Sequence, residues 1–557
     1  MAPDAAQHPL VGLRGMGELS PATVRERLSL RLGGRIAFSI EPRERDLSAR
    51  LERAGDLPDA ARELSEGLGM GLATVVATDE RREGDGDFKV RYIFEPAGPP
   101  GGPLPDLFVS VVVSADAVRP EVPSLTPLLP SADWHEREMR DLFGIEPVGH
   151  PDPRTLVLHD GWPPGLHPLR KDFDARRRPD RLPAQEFPHL VVEGEGVFEI
   201  PVGPIHAGII EPGHFRFSSV GETVLHLDAR LFYTHRGLEK RAEGLTARDA
   251  FFVAERLCGA CSVANALAFV EAVEQIAGVT VPPRAQTLRA VALELERLYN
   301  HVGDIGNICA GASYHTGTSA GARLKEMLQR ENEQLAGSRF LRGFVMPGGV
   351  HHDGADRAAA IDAVARGTGD RLTELMLDLE RNPSVVDRFN DTGILTAEEA
   401  RDLGVTGVAA RASGIDRDAR RDHPHGAFGG PGAVVPHVVT EPAGDVHSRV
   451  AVRAAEAAES VRLLRQLVAN LPPGRLRVPL PAELPAWRTG LAAVESPRGA
   501  SIHWLRTDGA GRVDRYHVRS ASYANWPAVP VAALRAIVPD FPLVNKSFEL
   551  CYACTDR

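Results

Sequence analysis

Cysteine is scarce in this chain, five residues in 557. Four of the five form two Cys-x-x-Cys pairs, a usage that fits a reducing compartment. Basic charge is not in excess: the net charge is -11 and the pI about 6.0. That excludes nucleic acid as the main partner, because phosphate binding needs a basic face. Long hydrophobic runs are missing too. None approaches the ~18 apolar residues of a membrane span, and stretches such as Leu107-Phe-Val-Ser-Val-Val-Val113 read as buried strands. Any link to a membrane must therefore run through partner subunits. The start, Met1-Ala-Pro-Asp-Ala-Ala-Gln, has no apolar core of a signal peptide. Aromatic residues are few while Arg and Ala abound, which we read as coding bias and not as function. No internal repeats are present.

What is there is Cys258-Gly-Ala-Cys261 and, near the other end of the same domain, Cys551-Tyr-Ala-Cys554. Thiolates are soft ligands, and four of them select zinc, iron, copper(I) or nickel over magnesium or calcium. Local zinc modules space their two pairs by about 12–20 residues. Here nearly a whole domain intervenes, so the site must be assembled by the fold. Three readings stand at this point: a zinc that staples the fold, a thioredoxin-type redox pair, and a catalytic metal on four thiolates. Neither pair lies in the short strand–helix context of the redox motif.

The length allows two or three domains. Residues 1 to about 20 have no periodic pattern and read as loose. Helical segments alternate with short apolar runs over residues 22–68. Strands follow at 73–77, 88–94 and 107–113, with a Pro- and Gly-rich loop at 95–105. This predicts an α+β domain over 1–173. Residues 174–195, basic and without periodicity, read as a linker. The second domain, 196–557, opens with a hairpin at 215–218 and 223–231. Long helical patterns then dominate: a start at Thr246, a buried helix from Ser262 to Ala277 ended by Gly278, an amphipathic one over 284–302 and another over 450–468. The expected fold is thus an α+β N-terminal domain followed by a mainly α-helical domain with a small β-sheet at its start.

Two sets of motifs carry a resemblance. Asp133-Trp-His-Glu-Arg-Glu-Met-Arg-Asp-Leu-Phe-Gly-Ile145, with Leu169-Arg-Lys-Asp172, resembles the signature of the 30-kDa subunit of respiratory complex I, a structural arm with no cofactor of its own. Taken alone, its Glu and Arg residues also suit a solvated helix face. Beyond residue 197, Arg339-Phe-Leu-Arg-Gly-Phe344, Arg411-Ala-Ser-Gly-Ile-Asp416 and Gly444-Asp-Val-His-Ser-Arg449 resemble the 49-kDa subunit, which lacks the four cysteines. With them, the chain resembles the large subunit of energy-converting nickel-iron hydrogenases of the formate hydrogenlyase and hydrogenase-4 type (group 4), in which the two domains are fused in this order.

The resemblance implies that Cys258 and Cys551 are terminal nickel ligands and that Cys261 and Cys554 bridge nickel to an iron carrying carbon monoxide and cyanide. It assigns Glu211 to proton relay, places Arg498 over the metal site, and makes Glu239 a ligand of a second metal, magnesium or iron, near the C-terminus. Cys309 reads as a small buried residue, leaving no cysteines for an electron relay. An Fe-S cluster in a partner small subunit, similar to the complex I 20-kDa subunit, is therefore implied. Membrane-arm subunits and maturation proteins follow as further partners, with the chain peripheral at the inner face of the cell membrane.

The sequence departs from the family at Asn265, where a histidine is usual, and at Glu549-Leu550, where Asp-Pro is usual. Both put hydrogenase activity in question. His206 stands where the complex I subunit has a quinone-binding His-Pro loop, but Ala207 replaces the proline, so a loop histidine is expected. The ending Thr555-Asp-Arg557 resembles a processed C-terminus. Two alternatives remain beside H2 turnover: an NADH-quinone oxidoreductase-like subunit that binds quinone and has no nickel-iron centre, and a non-catalytic scaffold.

Overall fold

Five strands, β1 (Ile36–Ile40), β2 (Leu47–Leu51), β3 (Met70–Asp79), β4 (Phe88–Pro96) and β5 (Val109–Ala115), form one sheet in the order β1-β2-β5-β4-β3. All neighbours are antiparallel except β2 and β5. The computed structural model describes residues 19–84, 86–97, 104–159, 161–183, 187–206, 210–430 and 432–557. The loose start over 1–18, most of the Pro/Gly loop (98–103), Ala207 and Ile209 lie outside them. The loop begins later than the sequence suggests: Glu95 and Pro96 continue β4, with Pro96 opposite Met70 at the strand's end, a place where a missing N–H costs little. Two of the short apolar runs between residues 22 and 68 are β1 and β2. The helices around them are α1 (Pro21–Leu32), capped by Ser20, and a short one at Leu57–Arg62.

The central strands are buried on both faces. Val75, Ala77, Phe88, Val90, Tyr92 and Phe94 point into one core, while Val76, Ile93 and Phe108 point into another with Leu491, Ile502 and Trp504. This explains the unbroken apolar run of β5. The 30-kDa-like signature is helix α2 (Asp133–Phe143). It is not a solvated face: Glu136, Arg137, Glu138 and Asp141 are all buried. Glu136 accepts hydrogen bonds from Tyr92 Oη, Leu125 N and Thr126 Oγ1.

Past residue 196 come β6 (Val197–Val202), β7 (His214–Val220) and β8 (Thr223–Arg230), one antiparallel sheet containing the expected hairpin. Helices follow: α3 (Ala247–Glu255), capped by Thr246, α4 (Ser262–Ala277), α5 (Pro283–Gly311), α6 (His315–Ala336), α7 (Ala358–Glu380) and α8 (Val446–Ala469). Gly278 ends α4 in a left-handed conformation, as its sequence suggests. α5 runs nine residues beyond the amphipathic stretch read to Val302 and packs on α6 and α8.

The reading of this domain as helical with one small sheet at its start needs correcting. A second antiparallel sheet, β9 (Thr489–Ser496), β10 (Gly499–Thr507) and β11 (Val513–Arg519), lies late in the chain. It is sandwiched between α4 and the N-terminal sheet. With both faces covered, its strands show no polar–apolar alternation to read. Arg515, His517 and Arg519 on β11 are buried among partners from distant segments.

Candidate metal centre

Each Cys-x-x-Cys pair is a turn that leads into a helix. Cys258–Cys261 precedes α4; Cys551–Cys554 opens α9 (Tyr552–Asp556). In both turns the first sulfur accepts the N–H of the second cysteine, Cys261 N at 3.1 Å from Cys258 Sγ and Cys554 N at 3.4 Å from Cys551 Sγ. The fold sets the two turns face to face. The Sγ atoms of Cys258, Cys551 and Cys554 lie within 4.8 Å of one another, and Cys261 interacts directly with Cys258 and Cys554. No disulfide forms.

The crowding of the sulfurs suits a cation between them. The contact with Cys258, then that with Cys554, draws the Cys261 thiol down to about 6. The contact with Cys258 pushes Cys551 up to about 12, and the other sulfurs drive Cys554 far above the usual thiol range. Four crowded thiols cannot all ionise without positive charge between them. The residues fit a metal that prefers soft donors.

The sulfurs are held by a dense frame. Glu296 of α5 accepts the N–H groups of Val263 and Ala264 at 2.6 and 3.0 Å, closing the start of α4. Burial pushes its carboxyl up to about 8. Asn300, one turn on, donates to Ala260 O at 2.8 Å. Arg236 joins the two turns, donating to Leu257 O and Ala553 O at 2.7 Å each. Arg449 and Arg453 of α8 donate to Ser547 Oγ, Ser547 O and Phe548 O, fixing the segment that delivers Cys551.

Glu211 meets the second turn, accepting Ala553 N at 2.9 Å. Burial, then the Cys551 sulfur, raises its carboxyl above the usual range. Arg498 sits in the two-residue turn between β9 and β10. Its guanidinium forks onto Asp304 of α5 and faces Glu549 at 3.9 Å. Burial opposes the charge, but Asp304, Glu549 and Cys261 together hold it firmly protonated. The turn needs glycine on both sides of a close approach: a Cβ on Gly407 would stand 2.3 Å from Arg498 O.

Asn265 is buried and donates to Cys554 Sγ at 3.9 Å, so the hydrogen bond to sulfur survives the departure from histidine. Glu549 accepts from Asn307 Nδ2, and burial and Asp304 push it up to about 7. Glu239 is in a different place: its carboxylate meets Arg515 and Arg557, beside Glu138 and His517. Cys309 is fully buried in α5, its thiol pushed up to about 12 by burial. His206 packs by Phe215, at 6.0 Å between ring centres.

Sequence reasoning missed Arg236, Glu296, Asn300 and Asp304. The signal for the last three was available: α5 carries Glu294, Glu296, Arg297, Asn300 and Asp304 among apolar residues, and all five are buried. A stripe of five apolar positions suggested one wet face; the helix has none over most of its length.

A protein in which two distant Cys-x-x-Cys turns meet to present four soft donors is the class that this fold and site define. Residues 52–179 match the family described as "Respiratory-chain NADH dehydrogenase, 30 Kd subunit". Residues 312–489 and 482–557 match the 49 Kd subunit family, and 236–304 match "Nickel-dependent hydrogenase". Formate hydrogenlyase subunit 5 of Escherichia coli (strain K12) is 37% identical over 506 residues, 90% of this chain and 87% of that one. Hydrogenase-4 component G of the same strain is 36% identical, covering 90% and 86%. The carbon monoxide-induced hydrogenase of Rhodospirillum rubrum is 32% identical over 65% of this chain and 99% of its own. Among solved structures, a chain of the membrane-bound sulfane sulfur reductase, an archaeal respiratory membrane complex, superposes with a TM-score of 0.61 at 25% identity, covering 65% of this chain and 99% of that one. The chain belongs to the large-subunit family of energy-converting, group 4 nickel-iron hydrogenases.

Proposed function

We propose that this chain is the catalytic large subunit of a membrane-associated complex that interconverts H2 with protons and electrons. The observation that carries this reading is the meeting of four thiols from two distant turns in one cluster, with Cys258, Cys261 and Cys554 buried and Cys551 half-buried. Cys258, Cys261, Cys551 and Cys554 would together hold a nickel-iron centre whose iron would carry carbon monoxide and cyanide. Such a centre, when bound, supplies a Lewis acid that polarises H2. The protein's part is to take the proton away. Glu211, partly buried and tethered to the cysteine turn by Ala553 N, is placed to exchange a proton with the Cys551 sulfur. Arg498 presents a fixed positive charge near Cys261, steadied by Asp304.

Electrons leave through a partner. Outside the cluster the chain has only Cys309, so an Fe-S cluster belongs to a small subunit. Among the described residues no helix is long and apolar enough to cross a membrane. Membrane-arm subunits would then hold the chain at the inner face, and maturation proteins would install the metals.

The test is metal analysis of the purified complex together with its infrared spectrum and H2 turnover. Nickel and iron with carbon monoxide and cyanide bands, all lost in Cys258→Ala and Cys554→Ala, are expected. Quinone-dependent activity with no nickel would replace this reading with the NADH-quinone one. That alternative is kept in view by relatives such as an NADH-quinone oxidoreductase protein of Phocaeicola vulgatus, 30% identical over 79% of this chain.

A further inference from the structure

Glu138 and Glu239 stand together in the interior with His517, their ligand atoms within 4.8 Å of one another. The family resemblance expects a second metal at Glu239. The surroundings do not fit one. Glu239 Oε1 accepts Val518 N and Arg557 Nη1, both at 2.9 Å, and Oε2 accepts Arg515 Nη1 at 2.8 Å. Arg557 Nη2 also donates to Glu138 Oε2. Two carboxylates thus face two guanidinium groups, and the charges already balance. A magnesium or ferrous ion would have to take the same oxygens at about 2.0–2.2 Å. It would leave both arginines buried and unpaired.

We propose that no metal ion occupies this cluster and that the Arg557 guanidinium is its built-in cation, a positioning group that fastens the second cysteine turn to the rest of the molecule. Arg557 lies three residues past Cys554. Its side chain reaches Glu138 on α2 of the N-terminal domain, Glu239 beside the first strands of the second domain, and Val518 O on β11 at 2.6 Å. Its main-chain oxygen accepts Arg236 N at 3.0 Å, and Arg236 is the residue that bridges both cysteine turns. The guanidinium also covers the Tyr523 ring, 4.7 Å from its centre. The nearby imidazoles agree with a site saturated in positive charge. His235 is pushed down to about 4 by burial and then by Arg557. His135 is held well below its usual range by burial, with Arg519 and Arg557 adding to the effect. The N-terminal domain is, on this geometry, part of the metal centre's support and more than an arm.

This inference rests on the hydrogenase reading, and its test separates the two. In the purified wild-type complex, nickel and the diatomic infrared bands report on the hydrogenase centre. Magnesium, manganese, calcium, zinc and any iron beyond that of the nickel-iron centre and the Fe-S clusters, counted per nickel, report on this cluster. We expect none of these at one per chain, and no loss of turnover after dialysis against a chelator of divalent ions. In Arg557→Gln, nickel content should fall and the infrared bands shift or broaden, with no rescue by added magnesium; Arg557→Lys should restore part of both. Glu138→Gln, on the other domain, should move the same bands and serves if Arg557→Gln does not fold. A stoichiometric divalent ion lost on Glu239→Gln would overturn the proposal. So would magnesium rescue of a chelated wild type, or unchanged nickel and bands in Arg557→Gln and Glu138→Gln alike.

Discussion

The Glu211 carboxylate accepts the main-chain N–H of Ala553 at 2.9 Å, joining residues 342 apart in the chain. The acid is therefore fixed to the second cysteine turn, and it approaches Cys551 without depending on a bound metal. Glu211→Gln keeps an oxygen to accept the amide but cannot carry a proton. Nickel content and infrared bands should stay as in the wild type while H2 turnover falls by about 10²–10⁴-fold, the usual worth of a positioned acid–base group. Turnover near wild type would remove Glu211 from the proton path.

Glu296 closes the amide end of α4 behind Cys261. Glu296→Ala leaves two buried N–H groups without an acceptor, which costs about 1–3 kcal/mol for each group left unsatisfied. The unfolding midpoint and the nickel retained through purification should both drop. Glu296→Gln keeps one of the two acceptor oxygens in use, so its loss should be smaller than that of Glu296→Ala. Equal losses in the two variants would mean that charge, not hydrogen bonding, is the function of this side chain.

His423 gives the joint between the domains a pH dependence. Its Nδ1 faces Asp106 at 2.9 Å, its Nε2 faces Glu95 at 2.8 Å, and its ring stacks on Phe108. Arg43 and Arg45 also pair with Asp106, and Arg417 with Glu95. Burial disfavours the imidazolium, but the two carboxylates outweigh it and raise the histidine above its ordinary value. A raised folded-state value means stability that is fully present below about pH 6.5, the unfolded value, and is lost as pH rises through the folded one. Thermal unfolding followed from pH 6 to 9 (about the range of histidine titration) should show a falling midpoint. The slope should flatten in His423→Gln; an unchanged slope would show that other groups set it.

Gly407 and the Arg498 turn approach so closely that a methyl group has no room, and Gly407 itself has φ +69°. Gly407→Ala should displace the turn and with it the guanidinium over the cluster. Turnover should fall with nickel still bound and secondary structure unchanged by circular dichroism. Full activity in this variant would show that the turn can yield without consequence for Arg498.

Much of the centre was legible in the chain. The two Cys-x-x-Cys pairs read locally, Glu211 and Arg498 entered only through the family resemblance, and in the structure Glu211 contacts the second cysteine turn while Arg498 lies near Cys261. α4 was also plain, since Gly278 stops it and apolar residues fill it. The remainder depended on contacts between segments that no local pattern encodes. β9–β11 went unread because both faces are covered. The polar residues of α5 looked like a solvated face because the spacing that marks a wet helix surface also serves a helix whose charges are paired inside, as Arg297 and Glu456 are at 2.6 Å. Glu138 lay in a recognised signature and Arg557 in the chain's ending, but nothing paired them, since their contact spans 419 positions.

The placement of the two cysteine turns also sets a sequence in time. Cys258, Cys261 and their clasp on α5 belong to segments that leave the ribosome while Cys551 and Cys554 are still to be made, with Asn265 and the sulfur it contacts 289 positions apart. Two of the four thiols are therefore in place in the chain long before the other two exist, and the cluster can come together only when the segment bearing Cys551 and Cys554 has been made.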